Sequence, residues 1–279
     1  MISVIVPVFN TGQYLARAVE ALIGQDYPAD QYELLFVDNG SSDDSVEILQ
    51  RYPEIRVLHE PVRGSYAARN RGLHEARGEI IAFTDSDCFP DPAWLSSIEK
   101  GFDTPGALVL MGPRLPANER HSLRLIAAYE NQKNEFICAS DDPSVYFGYT
   151  NNMAVRRAAF DHAGEFVQRA RGADSIFVQK VVNATSCDSV CWSPGMAVVH
   201  GELDSVAAYY DKVKTYSRSH RAFRHIMPVR TLTVKERMQI FRRTVSGYPA
   251  GDSAWLLSLL IGGQFAWWFG AFGENQHEQ

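Results

Sequence analysis

Glu79-Ile80-Ile81-Ala82-Phe83-Thr84 is a short apolar run that stops on Asp85-Ser86-Asp87. A run of this length bounded by turn formers reads as a strand buried on both faces. Side chains two apart on an extended chain point the same way, so Asp85 and Asp87 should leave the strand tip together. Such a pair can grip a hard cation that prefers oxygen ligands. Asp-x-Asp is also a common cap, and the competing assignment has Asp87 and Asp91 capping a helix near Pro92-Ala93-Trp94-Leu95.

The segments before it supply the context. Ile2–Phe9 is another apolar, β-branched run, and Thr11 is placed to cap a helix carrying Leu15, Val19, Leu22 and Ile23 before Tyr27-Pro28 ends it. Glu33–Val37 reads as a second strand, followed by the turn-forming loop Asp38-Asn39-Gly40-Ser41-Ser42-Asp43-Asp44. The pattern then predicts a helix over Val46–Tyr52, a strand over Ile55–His59 and a helix over Tyr66–Ala76. Repeated strand–helix units imply an α/β fold with a mostly parallel, Rossmann-like sheet flanked by helices. Ligands of such sheets bind beyond the carboxyl ends of the strands. Pro7–Asn10, Asp38–Ser42 and Asp85–Asp87 should therefore meet at one crevice.

From about residue 113 to 203 the pattern is less regular. Asn151–Arg157 looks like a strand entering a helix, Gly172-Ala173-Asp174-Ser175 opens an apolar helix with Ile176, Phe177 and Val181, and Ala197–His200 resembles a short strand. The tail, 204–279, changes character. Ten Lys or Arg lie between Lys212 and Arg243 against one acid, Glu236, and residues 254–272 run 19 positions without a charge, with Trp255, Trp267 and Trp268 among them. A spanning helix needs about 20 apolar residues. This glycine-interrupted segment is expected either to lie in a membrane interface or to be an ordinary buried helix. The basic stretch before it is a solvated face, or a contact for an anionic membrane or a lipid-diphosphate acceptor.

Composition narrows the class. With 46% hydrophobic and 22% charged residues among 279, the chain is globular rather than disordered. A net charge of −6 argues against a nucleic-acid partner. Cys88, Cys138, Cys187 and Cys191 are too few and scattered for a disulfide framework, and Cys187-x-x-x-Cys191 lacks a second ligand pair for zinc. Reduced thiols are expected. The sequence enters a β-branched run at residue 2 without a basic start or cleavage site, so a cytoplasmic location is expected. No Gly-x-Gly-x-x-Gly follows the first strand, where Asn10-Thr11-Gly12-Gln13 offers one glycine, and there is no Walker loop. A nucleotide would have to be held by side chains and by a metal across its phosphates.

Val4-Ile5-Val6-Pro7-Val8-Phe9-Asn10, Val37-Asp38-Asn39-Gly40-Ser41-Ser42-Asp43, Ala67-Ala68-Arg69-Asn70-Arg71-Gly72 and Phe83-Thr84-Asp85-Ser86-Asp87 resemble, in order and spacing, the successive signatures of glycosyltransferase family 2. These are inverting enzymes with the fold called GT-A, and the resemblance covers residues 1 to about 200. It implies that Pro7, Phe9 and Asp38 line a nucleoside pocket, with Asn10, Asn39, Arg69, Asn70 and Ser86 bordering the donor. It implies that Asp87, with Asp85 beside it, and His200 engage Mn²⁺ or Mg²⁺ on a nucleotide-sugar diphosphate. Asn151, Asn152 and Ala173 then fall on the acceptor side, and Asp174 resembles the Asp of the family's Glu-Asp motif. Inversion by direct displacement needs one base to take the acceptor proton, which makes Asp174 the candidate.

Two positions depart from the pattern. Ala173 stands where the family usually has Glu, and Asn39 where many members have Asp. An amide both donates and accepts, so the base stays open among UDP, GDP and dTDP, with a UDP-sugar favoured. Blander assignments exist: Asp174 at a helix start gains about 0.3–1 kcal/mol from the dipole, His200 can be structural, and Arg69 and Asn70 can belong to a capped surface helix. The resemblance divides the chain into a 1–203 transferase domain, with a 1–112 nucleotide-sugar-binding half and a 113–203 acceptor half, and a basic helical extension, 204–279. The expected partners are a nucleotide sugar, a carbohydrate, lipid-linked or small-molecule hydroxyl acceptor, and peripherally the inner face of a membrane. The alternatives are a nucleotidyltransferase, which usually carries a Gly-rich, basic loop after the first strand, a receiver-like domain, which leaves 113–200 unexplained, and a non-catalytic membrane-associated nucleotide or sugar sensor.

Overall fold

The computed structural model describes residues 1–169, 171–223 and 229–272. Side chains are described up to residue 219, apart from residue 170, and from 229 to 270, so the side chain of Arg221, the whole of Arg224 and the end of the 204–279 tail lie outside what is described. The first half alternates as expected: β1 (Ile2–Val8), α1 (Gly12–Ile23), β2 (Tyr32–Asp38), α2 (Ser45–Leu49), β3 (Arg56–His59), α3 (Ser65–Glu75) and β4 (Ile80–Thr84). Then come β5 (Cys88–Pro90), α4 (Trp94–Gly101), β6 (Val109–Met111), β7 (Arg114–Pro116), α5 (His121–Cys138), β8 (Asn152–Arg156), α6 (Ala159–Ala163), α7 (Ala173–Ala184), β9 (Val190–Trp192) and β10 (Val198–His200). Three helices close the chain: α8 (Val206–Phe223), α9 (Val234–Thr244) and α10 (Ala250–Phe272).

The main sheet has seven strands in the order β3-β2-β1-β4-β8-β6-β9. β3, β2, β1 and β4 run parallel, and β8 is antiparallel to both β4 and β6. Alternation along each buried strand feeds two cores. Val4, Val6 and Val8 of β1 pack with Leu15, Val19 and Leu22 of α1 and Trp94, Leu95 and Ile98 of α4. Ile5 points to the other face, among Ala68 and Leu73 of α3 and Phe177, Val178 and Val181 of α7. Both faces are covered, so the strands read as continuous apolar runs. A smaller sheet, β5-β10-β7, stands beside the first.

Register carries the polar clusters to one rim. Val8 lies beside Asp38, Ile5 beside Phe83, and Thr84 beside Asn152. Residues 9–10, 38–42, 85–87 and 151 therefore leave the sheet along the same edge. Two local expectations change. Thr11 stands at the N-cap position of α1, yet its hydroxyl makes no capping bond, and the Gly12 N–H instead donates to Asp43 Oδ2 at 3.0 Å across the loop after β2. Before α4, whose N-cap position is Ala93, Asp91 Oδ1 accepts from the Ala93 N–H at 3.0 Å, and neither Asp91 nor Asp87 makes a side-chain cap to the helix itself.

In the tail, α10 packs on α8 and α5, and α9 packs on α5. Thr233 and Glu236 form a reciprocal capping box at the start of α9. Among the described residues no helix is long and apolar enough to cross a membrane.

Candidate active site

Asp85 and Asp87 part company as they leave β4. Asp85 forms an ion pair with Arg69, whose side chain is almost fully buried. Asp87 turns toward the small sheet, where register sets His200 of β10 opposite Cys88 of β5. His200 Nδ1 lies 3.3 Å from Asp87 Oδ2, and the possible ligand atoms of Asp87, Cys88 and His200 all fall within 4.8 Å of one another. Glycine permits this approach. The Gly201 N–H donates to the Asp87 carbonyl at 2.7 Å, and a Cβ there would meet that oxygen at 2.9 Å and the Tyr14 ring at 3.1 Å.

Charge at this corner is unbalanced. Burial, then Asp85 and Glu202, push the Asp87 carboxyl up to about 7, with Lys212 opposing. Burial, with Lys212 and Arg114 nearby, pushes His200 down to about 3, so the ring is neutral and keeps a lone pair. Burial also raises the Cys88 thiol, followed by the charges of Asp87 and Asp85. His200 Nδ1 is buried and makes no hydrogen bond. A crowded carboxylate, a neutral imidazole and an orphaned ring nitrogen fit a divalent ion such as Mn²⁺ or Mg²⁺. Lys212 Nζ sits 3.1 Å from His200 Nε2 and 3.3 Å from Glu202 Oε2. Ligation through Nδ1 requires the ring proton on Nε2, which would free that ammonium.

The nucleoside side is built from loops. Phe9 is half exposed at the rim with the Arg63 guanidinium 4.6 Å from its ring centre. Pro7 lies just before it on β1, and Ser86 is buried between the two acids. Asn10 takes a left-handed backbone (φ 51°), and its Oδ1 accepts from the Ser42 N–H at 2.8 Å. Burial alone would raise Asp38, but hydrogen bonds from Ser41, His59 and Gly40 outweigh it and hold the carboxyl below its usual range. Asn39 spends its amide on the next loop, donating to the Glu60 and Val62 carbonyls at 2.8 and 2.7 Å and accepting from the Gly64 N–H at 2.7 Å. In place, Asp38 and Asn39 shape the loop by their own hydrogen bonds.

Asp174 sits in the first turn of α7, after Gly172 in a left-handed conformation (φ 79°). Its carboxylate accepts from the Ser175 N–H at 2.8 Å and the Thr150 N–H at 3.3 Å. Burial raises its pKa, and Ser175, Arg69, Tyr66 and Thr150 pull the other way. Arg69, paired with Asp85 and attracting Asp174, thus links the Asp85–Asp87 strand tip to the candidate base. Asn151 Oδ1 is buried without a hydrogen-bond partner at the rim. Asn152 is fully buried. Its Oδ1 accepts from Trp94 Nε1 at 2.9 Å, and its Nδ2 donates to the Pro113 and Met196 carbonyls at 2.9 and 2.7 Å. Asn70 similarly braces Phe166, donating to its carbonyl at 2.8 Å and accepting from its N–H at 3.2 Å. Ala173 is fully buried behind Asp174.

Three site neighbours escape a reading of the sequence. Arg63 lies in a loop without a motif, Tyr66 reads as one apolar residue of a helix, and Lys212 reads as one cation in a solvated basic stretch. Only the position of Lys212 twelve residues beyond His200 hints at proximity.

A mostly parallel sheet with carboxylates, a neutral histidine and a nearby cation on its carboxyl rim defines an α/β protein suited to a metal-bridged diphosphate. The chain belongs to glycosyl transferase family 2, which residues 3–164 match. Glycosyltransferase AglE of Haloferax volcanii is 42% identical over 108 residues, 37% of this chain and 34% of that protein. Glycosyltransferase GlyG of Streptococcus pneumoniae is 42% identical over 92 residues, 31% of this chain and 30% of its own. The chain thus spans about a third of the length of these curated relatives. The mannosyltransferase PcManGT from Pyrobaculum calidifontis, solved with GDP-Man and Mn²⁺, superposes with a TM-score of 0.65 at 17% identity, covering 97% of this chain and 85% of that one. TarS of S. aureus in complex with UDP gives 0.59 at 18% identity, over 97% and 88%. These similarities establish the GT-A fold.

Proposed function

We propose that the protein is an inverting glycosyltransferase that moves a sugar from a nucleotide diphosphate donor to an acceptor hydroxyl. The observation that carries this reading is the meeting of the Asp87–His200 corner with Asp174 along one rim, with Arg69 linking the Asp85–Asp87 strand tip to Asp174. Asp87 and His200 would hold Mn²⁺ or Mg²⁺, with Asp85 beside them. When bound, the ion would stabilise the charge that grows on the departing diphosphate. Asp174 takes the proton of the acceptor hydroxyl as it attacks the anomeric carbon. Phe9, backed by Arg63, offers a stacking face to the base, with Pro7, Asn10, Asp38, Asn39 and Ser86 shaping that wall and Asn70 bracing it. Asn151 borders the acceptor, with Asn152 and Ala173 fixing the wall behind it. Residues 1–112 form the donor half, 113–203 the acceptor half, and 204–279 an extension.

A UDP-sugar is favoured. TarS was solved with UDP and PcManGT with GDP-Man, so both nucleotides belong in the test. The acceptor is a carbohydrate, lipid-linked or small-molecule hydroxyl, reached from the cytoplasm with peripheral membrane contact through the tail. A thermal-shift series with UDP, GDP, dTDP and CMP, each with and without Mn²⁺, tests the reading. Stabilisation by one diphosphate only with the ion supports it. No metal-dependent shift with any of them refutes it.

A further inference from the structure

α9 and α10 carry a surface that includes none of the residues proposed above for donor, metal or acceptor. α10 presents Leu257, Ile261, Phe265, Trp268 and Phe269 outward, each between 43% and 61% exposed. Steps of four, four and three or four residues keep them on one stripe. The opposite side supplies the packing: Leu256 joins Leu125 and Tyr129 of α5 and Ile240 of α9, while Leu259 and Ala266 are also buried. A contiguous row of large apolar side chains on a protein surface marks an interaction site.

Its neighbour has the opposite character. α9 exposes Lys235, Arg237, Arg242 and Arg243, and its one acid, Glu236, is neutralised by Arg230 at 2.8 Å. Arg237 Nη1 reaches Gln264 Oε1 of α10 at 3.4 Å, which joins the basic helix to the edge of the apolar stripe. Between α9 and α5 lies an open groove of about 930 Å³ lined by Gln132, Val234, Lys235, Met238, Arg242 and Arg243. The chain as a whole carries −6, so this corner reverses the sign of the molecule. A flat anionic surface with an apolar interior complements both features at once. A second copy docked through the same face would set like charges against each other.

We propose that the α9–α10 face docks on an anionic lipid bilayer, the stripe entering the interface and the basic groove taking lipid phosphates. This names the face and the lipid chemistry of the peripheral contact proposed above, and rests on that contact. Trp268 and Phe269 would sit at headgroup depth, as aromatic residues do. The helix lies along the surface, since no described helix can span it.

The test is flotation of the full chain with phosphatidylcholine vesicles, with and without phosphatidylglycerol. Co-flotation with the anionic vesicles that weakens with salt is expected. Ile261→Glu with Phe265→Glu should abolish it, and Lys235→Glu with Arg242→Glu should weaken it on the order of tenfold or more. Both variants should keep the metal-dependent nucleotide binding of the parent, which shows that they fold. Equal binding by parent and variants overturns the proposal, as does a parent that never floats. A dimer dispersed by Phe265→Glu without vesicle binding assigns the face to a second copy and equally overturns it. If vesicles bind but no nucleotide does, the transferase reading fails and the docking surface stands.

Discussion

Asp174 can take a proton only when its own is gone, and burial raises its pKa. If Asp174 is the proposed base, activity should be lost as pH falls through its raised pKa, where the carboxyl becomes protonated. Asp174→Asn should lower turnover by about 10²–10⁴-fold, the usual worth of a general base, and leave Mn²⁺-dependent nucleotide affinity unchanged. Initial rates beside calorimetric titration read both quantities. Lys212 tests the opposite corner. Its ammonium stands beside His200, so Lys212→Met should raise the KM for the donor, by about tenfold for one charged hydrogen bond, with little change in kcat. Asp87 and Asp174 stand out as candidates in the sequence because each sits at the edge of an element marked by an apolar run. Lys212 does not, because its role depends on where α8 crosses β10.

At the scale of elements, one side chain of β8 adds to the ladders that pair it with β4 and β6. Asn152 fills its amide with Trp94, Pro113 and Met196, tying α4 and two loops to the centre of the sheet. Asn152→Ala would strand the buried Trp94 indole N–H and the Met196 carbonyl at about 1–3 kcal/mol for each unpaired group, while the Pro113 carbonyl keeps the Val198 N–H. Chemical denaturation should show a loss of several kcal/mol in unfolding free energy, with the mutant still binding nucleotide where it remains folded. Sequence placed β1, β2 and β4 well, since strands buried on both faces announce themselves as apolar runs. It placed the helices to within a few residues, α3 as 66–76 against Ser65–Glu75 and α2 as 46–52 against Ser45–Leu49. Thr11 holds the N-cap position of α1 as the sequence predicts, but the helix's first N–H goes to Asp43, from a loop distant in sequence, and not to the Thr11 hydroxyl.

For the whole molecule, the Asp87 corner links metal, pH and stability. Its folded pKa of about 7 lies above the ordinary 3.8, so the folded state holds a proton that the unfolded chain releases in between. Stability of the metal-free protein should therefore fall as pH rises from about 4 to about 7, by the order of a few kcal/mol. A divalent ion binds the ionised carboxylate, so added Mn²⁺ should restore melting temperature most strongly at the top of that window. Scanning calorimetry across pH, with Mn²⁺ and with chelator, reads both effects. A metal-free melting temperature that rises across the window would contradict this assignment of Asp87.

The sequence by itself determined the α/β class, the rim on which polar loops gather and the candidate acids, because continuous apolar strand runs and strand-end chemistry are local properties. Tertiary structure alone decided that Asp85 pairs with Arg69 while Asp87 faces His200, that Asn39, Asn70 and Asn152 spend their amides on bracing, and that α10 turns one apolar face outward. Those outcomes depend on which distant segment arrives beside a side chain, and no local pattern encodes that.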